Sequence, residues 1–160
     1  MSTYAAKTTV SSEQSRSEIE RTLTRYGATS FAYGGYLGGP VVMFEAMARR
    51  IKFVLPLPDP QDEQFTHYYR GREFKTKHPR TASAAQEQYE QAIRQRWRAL
   101  ALVIKAKLEA VEAGITSFED EFLAHTMLPD GSTVGQWARP QIAQVYESNA
   151  MPALMPGVSS

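Results

Sequence analysis

The sequence predicts an α+β fold: a small three-stranded antiparallel sheet, preceded by one helix, covered by a long helix and followed by one or two further C-terminal helices. Three observations carry that expectation. From residue 31 to 55 the apolar positions alternate, with Ile51, Phe53 and Leu55 set against Arg50, Lys52 and Val54, the period of strands with one buried face. From Thr81 to Gly114 they recur every three or four residues, at Tyr89, Ile93, Trp97, Leu100, Ile104, Leu108 and Val111, which marks one face of an unusually long helix. Ahead of the sheet, Ile19, Leu23 and Tyr26 repeat the helical spacing behind a serine start signal. A sheet and a helix that each carry one apolar face must bury them against each other.

Taken in order, residues 1–10 read as a flexible N-terminus, 11–148 as a single α+β domain and 149–160 as an extended tail rich in Pro, Gly and Ser. Ser11 to Gln14 and Ser15 to Glu18 both fit a capping box, and Gly27 supplies the helix stop. Phe31, Tyr33 and Leu37 lie among glycines, and a first hairpin turn is expected on Gly38-Gly39. Val41–Phe44 and Arg49–Leu55 complete a meander that the prolines at 56, 58 and 60 must end. Residues 61–80 look irregular. Beyond the long helix, Thr116 and Glu119 fit another capping box, Phe118 and Phe122 face inward, and Leu128-Pro129-Asp130-Gly131 reads as a turn. Thr133 to Gln136 caps a last helix reaching Tyr146, which Pro140 should kink or restart. Trp97 and Trp137 are both expected in the core.

Composition narrows the chemistry. With no cysteine, disulfides, thiolate nucleophiles and cysteine-held zinc are excluded. His67, His78 and His125 show no metal-ligand spacing, the glycines around Tyr36 open no helix to cradle a phosphate, and no Gly-x-Ser-x-Gly elbow occurs. No cofactor, metal or catalytic residue is therefore assigned. The longest apolar run, Ala99–Ile104, falls far short of the roughly 20 residues that span a bilayer. Residues 1–10 carry no basic segment followed by an apolar one, so a cytoplasmic protein without membrane contact is expected.

The net charge of +1 hides a segregation: residues 1–64 are neutral, 65–108 carry +7 and 109–160 carry −6. Within the basic block, Arg70, Arg72, Lys75, Lys77 and Arg80 interleave with Tyr68, Tyr69 and Phe74. Single-stranded nucleic acid needs both ingredients, cations for phosphates and flat rings for bases. The expected contacts are Tyr68, Tyr69, Arg70, Arg72, Lys75 and Lys77. Arg49, Arg50 and Lys52 on the strands, and Arg94, Arg98 and Lys105 on one flank of the long helix, support them. Against this stands the plain alternative that helix arginines snorkel beside a core stripe and loop charges are merely solvated. Pro58-Asp59 followed by Glu73-Phe74-Lys75 also matches, in letters, a nuclease signature in which two acids hold a divalent metal and a lysine assists. Those acids belong on adjoining strands, whereas Asp59 is pinned between two prolines.

The stretch Ser11–Leu57, the run from Arg96 to Glu109, Phe118–His125 and Leu128–Gly131 resemble a family of small phage and prophage proteins with no assigned activity. That resemblance implies a viral context, hence the cytoplasm of an infected bacterium, and transfers no catalytic residue. Separately, the order helix, three-strand meander, long helix is similar in layout to single-strand annealing proteins of the Red-beta kind. The leading expectation is a non-enzymatic phage accessory protein that binds nucleic acid, single-stranded DNA favoured, in replication or recombination. The alternative is an interaction module that binds or inhibits a host factor, docks a phage protein or assembles into a homo-oligomer. A metal-dependent nuclease is third.

Overall fold

The computed structural model describes residues 9–36 and 39–151. The expectations for residues 1–8, for Gly38 in the first turn and for the tail beyond 151 lie outside the described residues. Ser11 opens the first helix, α1 (Ser12–Arg25), through the predicted capping box: its hydroxyl accepts from the Gln14 N–H at 3.1 Å while the Gln14 amide oxygen accepts from the Ser11 N–H at 2.9 Å. The second predicted box does not form. Ser15 lies inside α1, fully buried, with no hydrogen-bond partner for its hydroxyl, because a cap needs extended backbone and Ser15 is already helical. Ile19 and Leu23 carry the buried face, and Gly27 follows at φ 86°.

The meander is present as β1 (Phe31–Tyr36), β2 (Gly39–Ala46) and β3 (Arg49–Val54), antiparallel in that order. The register aligns Phe31 with Phe44 and Ile51, and Tyr33 with Val42 and Phe53. One face of the sheet thereby gathers Val42, Phe44, Ile51 and Phe53, all buried, as period-two alternation requires. Gly39 is a strand residue and not a turn residue: it opens β2 opposite Tyr36 at φ 123°, and a Cβ there would sit 2.2 Å from the Leu55 carbonyl oxygen. Between β2 and β3 the turn is made by Met47 and Ala48, both at positive φ (51° and 59°), the backbone of a two-residue hairpin normally filled by Asn-Gly.

Residues 61–80, read as irregular, hold a short helix α2 (Glu63–Thr66) and a second hairpin, β4 (His67–Arg70) with β5 (Thr76–Pro79). Both faces of this ribbon are largely exposed, so it carries none of the apolar alternation by which a strand is recognised. The long helix, α3 (Ala82–Glu112), starts on Thr81, whose hydroxyl accepts from the Ala84 N–H at 3.2 Å. Trp97, Leu100, Ala101, Ile104 and Leu108 join the sheet residues and α1 in one core, with Tyr89, Ile93 and Val111 only partly buried. Arg98 pairs with Glu18, Arg25 with Glu109 at 3.7 Å, and the Tyr26 hydroxyl donates to Glu112 at 2.5 Å. These contacts advance together along both chains, so α1 and α3 run parallel.

After α3 the predicted cap is displaced by one residue: Ser117 and not Thr116 caps α4 (Phe118–Glu121), accepting from the Asp120 N–H at 3.1 Å. Phe122 is fully buried and stacks on Phe118 at 4.6 Å, edge-on to Phe44 and Phe53. A single 3₁₀ turn (Leu123–His125) leads to the turn at Leu128–Gly131, closed by the Gly131 N–H on the Leu128 carbonyl at 2.9 Å. Thr133 and Gln136 form their capping box, and α5 (Val134–Ser148) runs unbroken through Pro140. Trp137 is a correction. It is 59% exposed, and Ile142 (54%) and Tyr146 (84%) are exposed too, since among the described residues no element packs over that side of α5.

Candidate nucleic-acid interface

The β4–β5 hairpin is held to the body at its base and free at its tip. Phe65 of α2 is buried and meets Tyr89 of α3 edge-on at 5.5 Å. Arg80 closes the ribbon twice, its backbone N–H on Thr66 O and its guanidinium on His67 O, both at 2.7 Å. Arg80 thus serves as a clamp. Its guanidinium also lies 5.9 Å from the Tyr68 ring centroid, and Tyr68 stacks on cross-strand His78 at 5.3 Å. Tyr68 is 40% exposed, with His78 already against its ring. Lys77 is answered as well: Glu63 pairs with it, raising the lysine pKa through that hydrogen bond while the Glu63 carboxyl is held below its ordinary range by the same bond.

At the tip the situation reverses. Tyr69 is 57% and Phe74 85% exposed, and among the described residues Arg70, Arg72 and Lys75 make no side-chain hydrogen bond or ion pair. The loop conformation depends on Gly71, at φ 121°, where a Cβ would fall 2.2 Å from the Phe74 carbonyl oxygen. Thr76 Oγ1 donates to the Arg70 carbonyl at 3.1 Å and stiffens the same turn. Three unanswered cations and two open rings therefore sit on a short, shaped projection, with Glu73 its one acid. Phe74 was legible as one of the loop rings that could meet a base, though its greater exposure than Tyr68 and Tyr69 is a tertiary property.

The supporting cations do not join this cluster. Arg98 is bound to Glu18, Arg94 donates to Gln91 Oε1 at 2.6 and 3.0 Å, and Lys105 lines the seam between α1 and α3. Of these, Arg98 ties α3 to α1, while Arg94 bonds within its own helix and Lys105 stays exposed. Arg49 pairs with Glu119 at 2.9 Å, the Arg50 carbonyl accepts from the Met127 N–H at 2.7 Å, and Lys52 Nζ donates to the Gly131 carbonyl at 2.5 Å. These belong with the α4–α5 connection, which meets α3 at Lys107 through Glu121. Lys107 stands 18 residues beyond Tyr89, about 27 Å along a helix. Part of the acidic block is likewise engaged within the chain, since Glu109, Glu119 and Glu121 pair with Arg25, Arg49 and Lys107.

The nuclease letters are not assembled on adjoining strands. Asp59 lies in the loop after β3, accepting from the Gln61 N–H at 2.8 Å, and Glu73 with Lys75 lies in the β4–β5 loop. Among the described residues no three His, Asp or Glu side chains converge as a metal-holding group. The chain matches no protein-family profile, no curated protein and no solved structure.

Proposed function

We propose that this protein binds single-stranded nucleic acid, DNA in the first instance, through the tip of the β4–β5 hairpin. The observation that carries the reading is the pairing of open aromatic rings with unanswered cations on one projection: Tyr69 and Phe74 beside Arg70, Arg72 and Lys75. Rings stack on bases of any sequence for about 1–3 kcal/mol each, and cations track the backbone. The contact set is centred on the tip, because Lys77 pairs with Glu63, Arg98 with Glu18 and Arg49 with Glu119. The proposed role is non-enzymatic, an accessory one in phage replication or recombination inside an infected bacterium. Consistent with that setting, no helix among the described residues is long and apolar enough to cross a membrane.

Fluorescence anisotropy of a labelled single-stranded oligonucleotide across a salt series tests this. Each phosphate neutralised contributes about −0.7 to the slope of log affinity against log salt. Converting Arg70, Arg72 and Lys75 together to alanine should flatten that slope by about 2. Converting Tyr69 and Phe74 should weaken single-stranded binding with the slope unchanged. Equal affinity in wild type and the triple variant would remove the hairpin from the interface.

A second reading, docking of a host or phage protein, draws on α5, whose Trp137, Ile142 and Tyr146 stand in solvent. Loss of a captured partner in Trp137→Ser, with oligonucleotide binding intact, would favour it.

A further inference from the structure

The two edges of the three-stranded sheet are treated differently. At β3 the edge is closed by the segment after the 3₁₀ turn: Ile51 bridges to Thr126, and the Met127 N–H donates to the Arg50 carbonyl. At β1 no such cover exists among the described residues. Glu45 bonds with Thr29 and Ser30 at the start of the ladder. Along β1, Ala32, Gly34 and Tyr36 therefore turn their backbone groups towards β2, while Phe31, Tyr33 and Gly35 turn theirs outward. Ala32, Tyr33, Gly34 and Gly35 are exposed. The strand Phe31-Ala32-Tyr33-Gly34-Gly35-Tyr36 contains no charge and no proline, the devices by which an open edge is usually protected from pairing.

We infer that β1 is a self-association edge, where a second copy of this chain adds its own β1 antiparallel across a two-fold axis at Tyr33. This register uses the whole strand. Tyr33 faces itself, and Phe31 faces Gly35 of the second copy, so every outward N–H and C=O finds a partner. An aromatic ring over an edge glycine is a favourable cross-strand arrangement. The two three-stranded sheets become one of six, through an isologous interface in which the same surface serves both sides.

The charges beside the edge are self-complementary, which selects a second copy over a foreign strand. The Tyr33 hydroxyl lies 3.5 Å from the Arg16 carbonyl. Burial and then the nearby Glu20 carboxylate push its pKa up, so Arg16 and Glu20 of α1 both border β1. Antiparallel pairing brings Arg16 of each copy towards Glu20 of the other. α1 as a whole carries three acids and three arginines, so apposing two such helices creates no net repulsion.

Sedimentation velocity over a concentration series tests the edge, and cysteine cross-linking tests its register. Gly35→Lys adds a charge where a Cβ meets nothing within 4 Å. It should raise the dimer dissociation constant by about tenfold or more while leaving the circular dichroism unchanged. Because the chain has no cysteine, Tyr33→Cys places a single thiol opposite its own copy, and oxidation should yield a covalent dimer far faster than for Thr29→Cys. A wild type that stays monomeric throughout, a dimer indifferent to Gly35→Lys, or equal cross-linking at the two cysteine positions would each overturn the assignment.

Discussion

His125 stacks on Phe53 at 4.0 Å, half-buried, beside the Lys107 ammonium. Burial first, and then the Lys107 charge, hold its pKa below the usual 6.5, so folding favours the neutral ring. In the unfolded chain the ring protonates as pH falls through 6.5, whereas the folded chain resists until lower pH. The contribution of this residue is therefore complete above 6.5 and is lost as pH falls towards the folded value. His125→Phe keeps a ring against Phe53 and removes the proton. Urea titrations at pH 7 and pH 5 should show a smaller acid loss of stability in this variant than in wild type, and an equal loss would clear His125 of the effect. The same accounting by neighbours sorts the cations of the candidate interface: Arg98, Arg49, Lys77 and Arg80 are each answered by the fold, and Arg70, Arg72 and Lys75 are not.

At the scale of elements, the β2–β3 turn runs against its own residues. Met47 and Ala48 both sit at positive φ and both are exposed, a backbone that costs an ordinary side chain roughly 1–2 kcal/mol. Ala48→Gly should stabilise the protein, by about 0.5–1 kcal/mol once the greater freedom of glycine in the unfolded chain is deducted. A drop in the urea midpoint would mean that Ala48 makes packing contacts. The turn also shows why legibility in the sequence is uneven. α1, the meander and α3 each bury one face, and burial imprints its period on the residues, as at Ile19 and Leu23 or at Ile51 and Phe53. The β4–β5 hairpin buries almost nothing, so His67–Arg70 and Thr76–Pro79 carry no period. α5 carries a helical pattern but lacks a cover among the described residues, which is why Trp137 reads as core and lies outside it.

For the whole molecule, the charge segregation resolves into two parts. Between α1, α3 and the α4–α5 connection, opposite charges meet at Arg98–Glu18, Arg25–Glu109, Arg49–Glu119 and Lys107–Glu121, so a part of each block acts as internal clasps. Three of the cations left over, Arg70, Arg72 and Lys75, sit together on one projecting hairpin, tied to α3 through Phe65 and Tyr89. The residues of that hairpin were legible as a basic, aromatic stretch; which of them stay available depended on Glu63, His78 and the turn at Gly71, none of which a composition count can weigh. Ultraviolet cross-linking of the intact protein to a single-stranded oligothymidine, with the attached peptides identified by mass spectrometry, tests that assignment at its source. Adducts should fall on Tyr69 and Phe74 and should fade as salt is raised. No adduct at low salt, or adducts confined to α3 or α5 with the hairpin peptide unmodified, would contradict it.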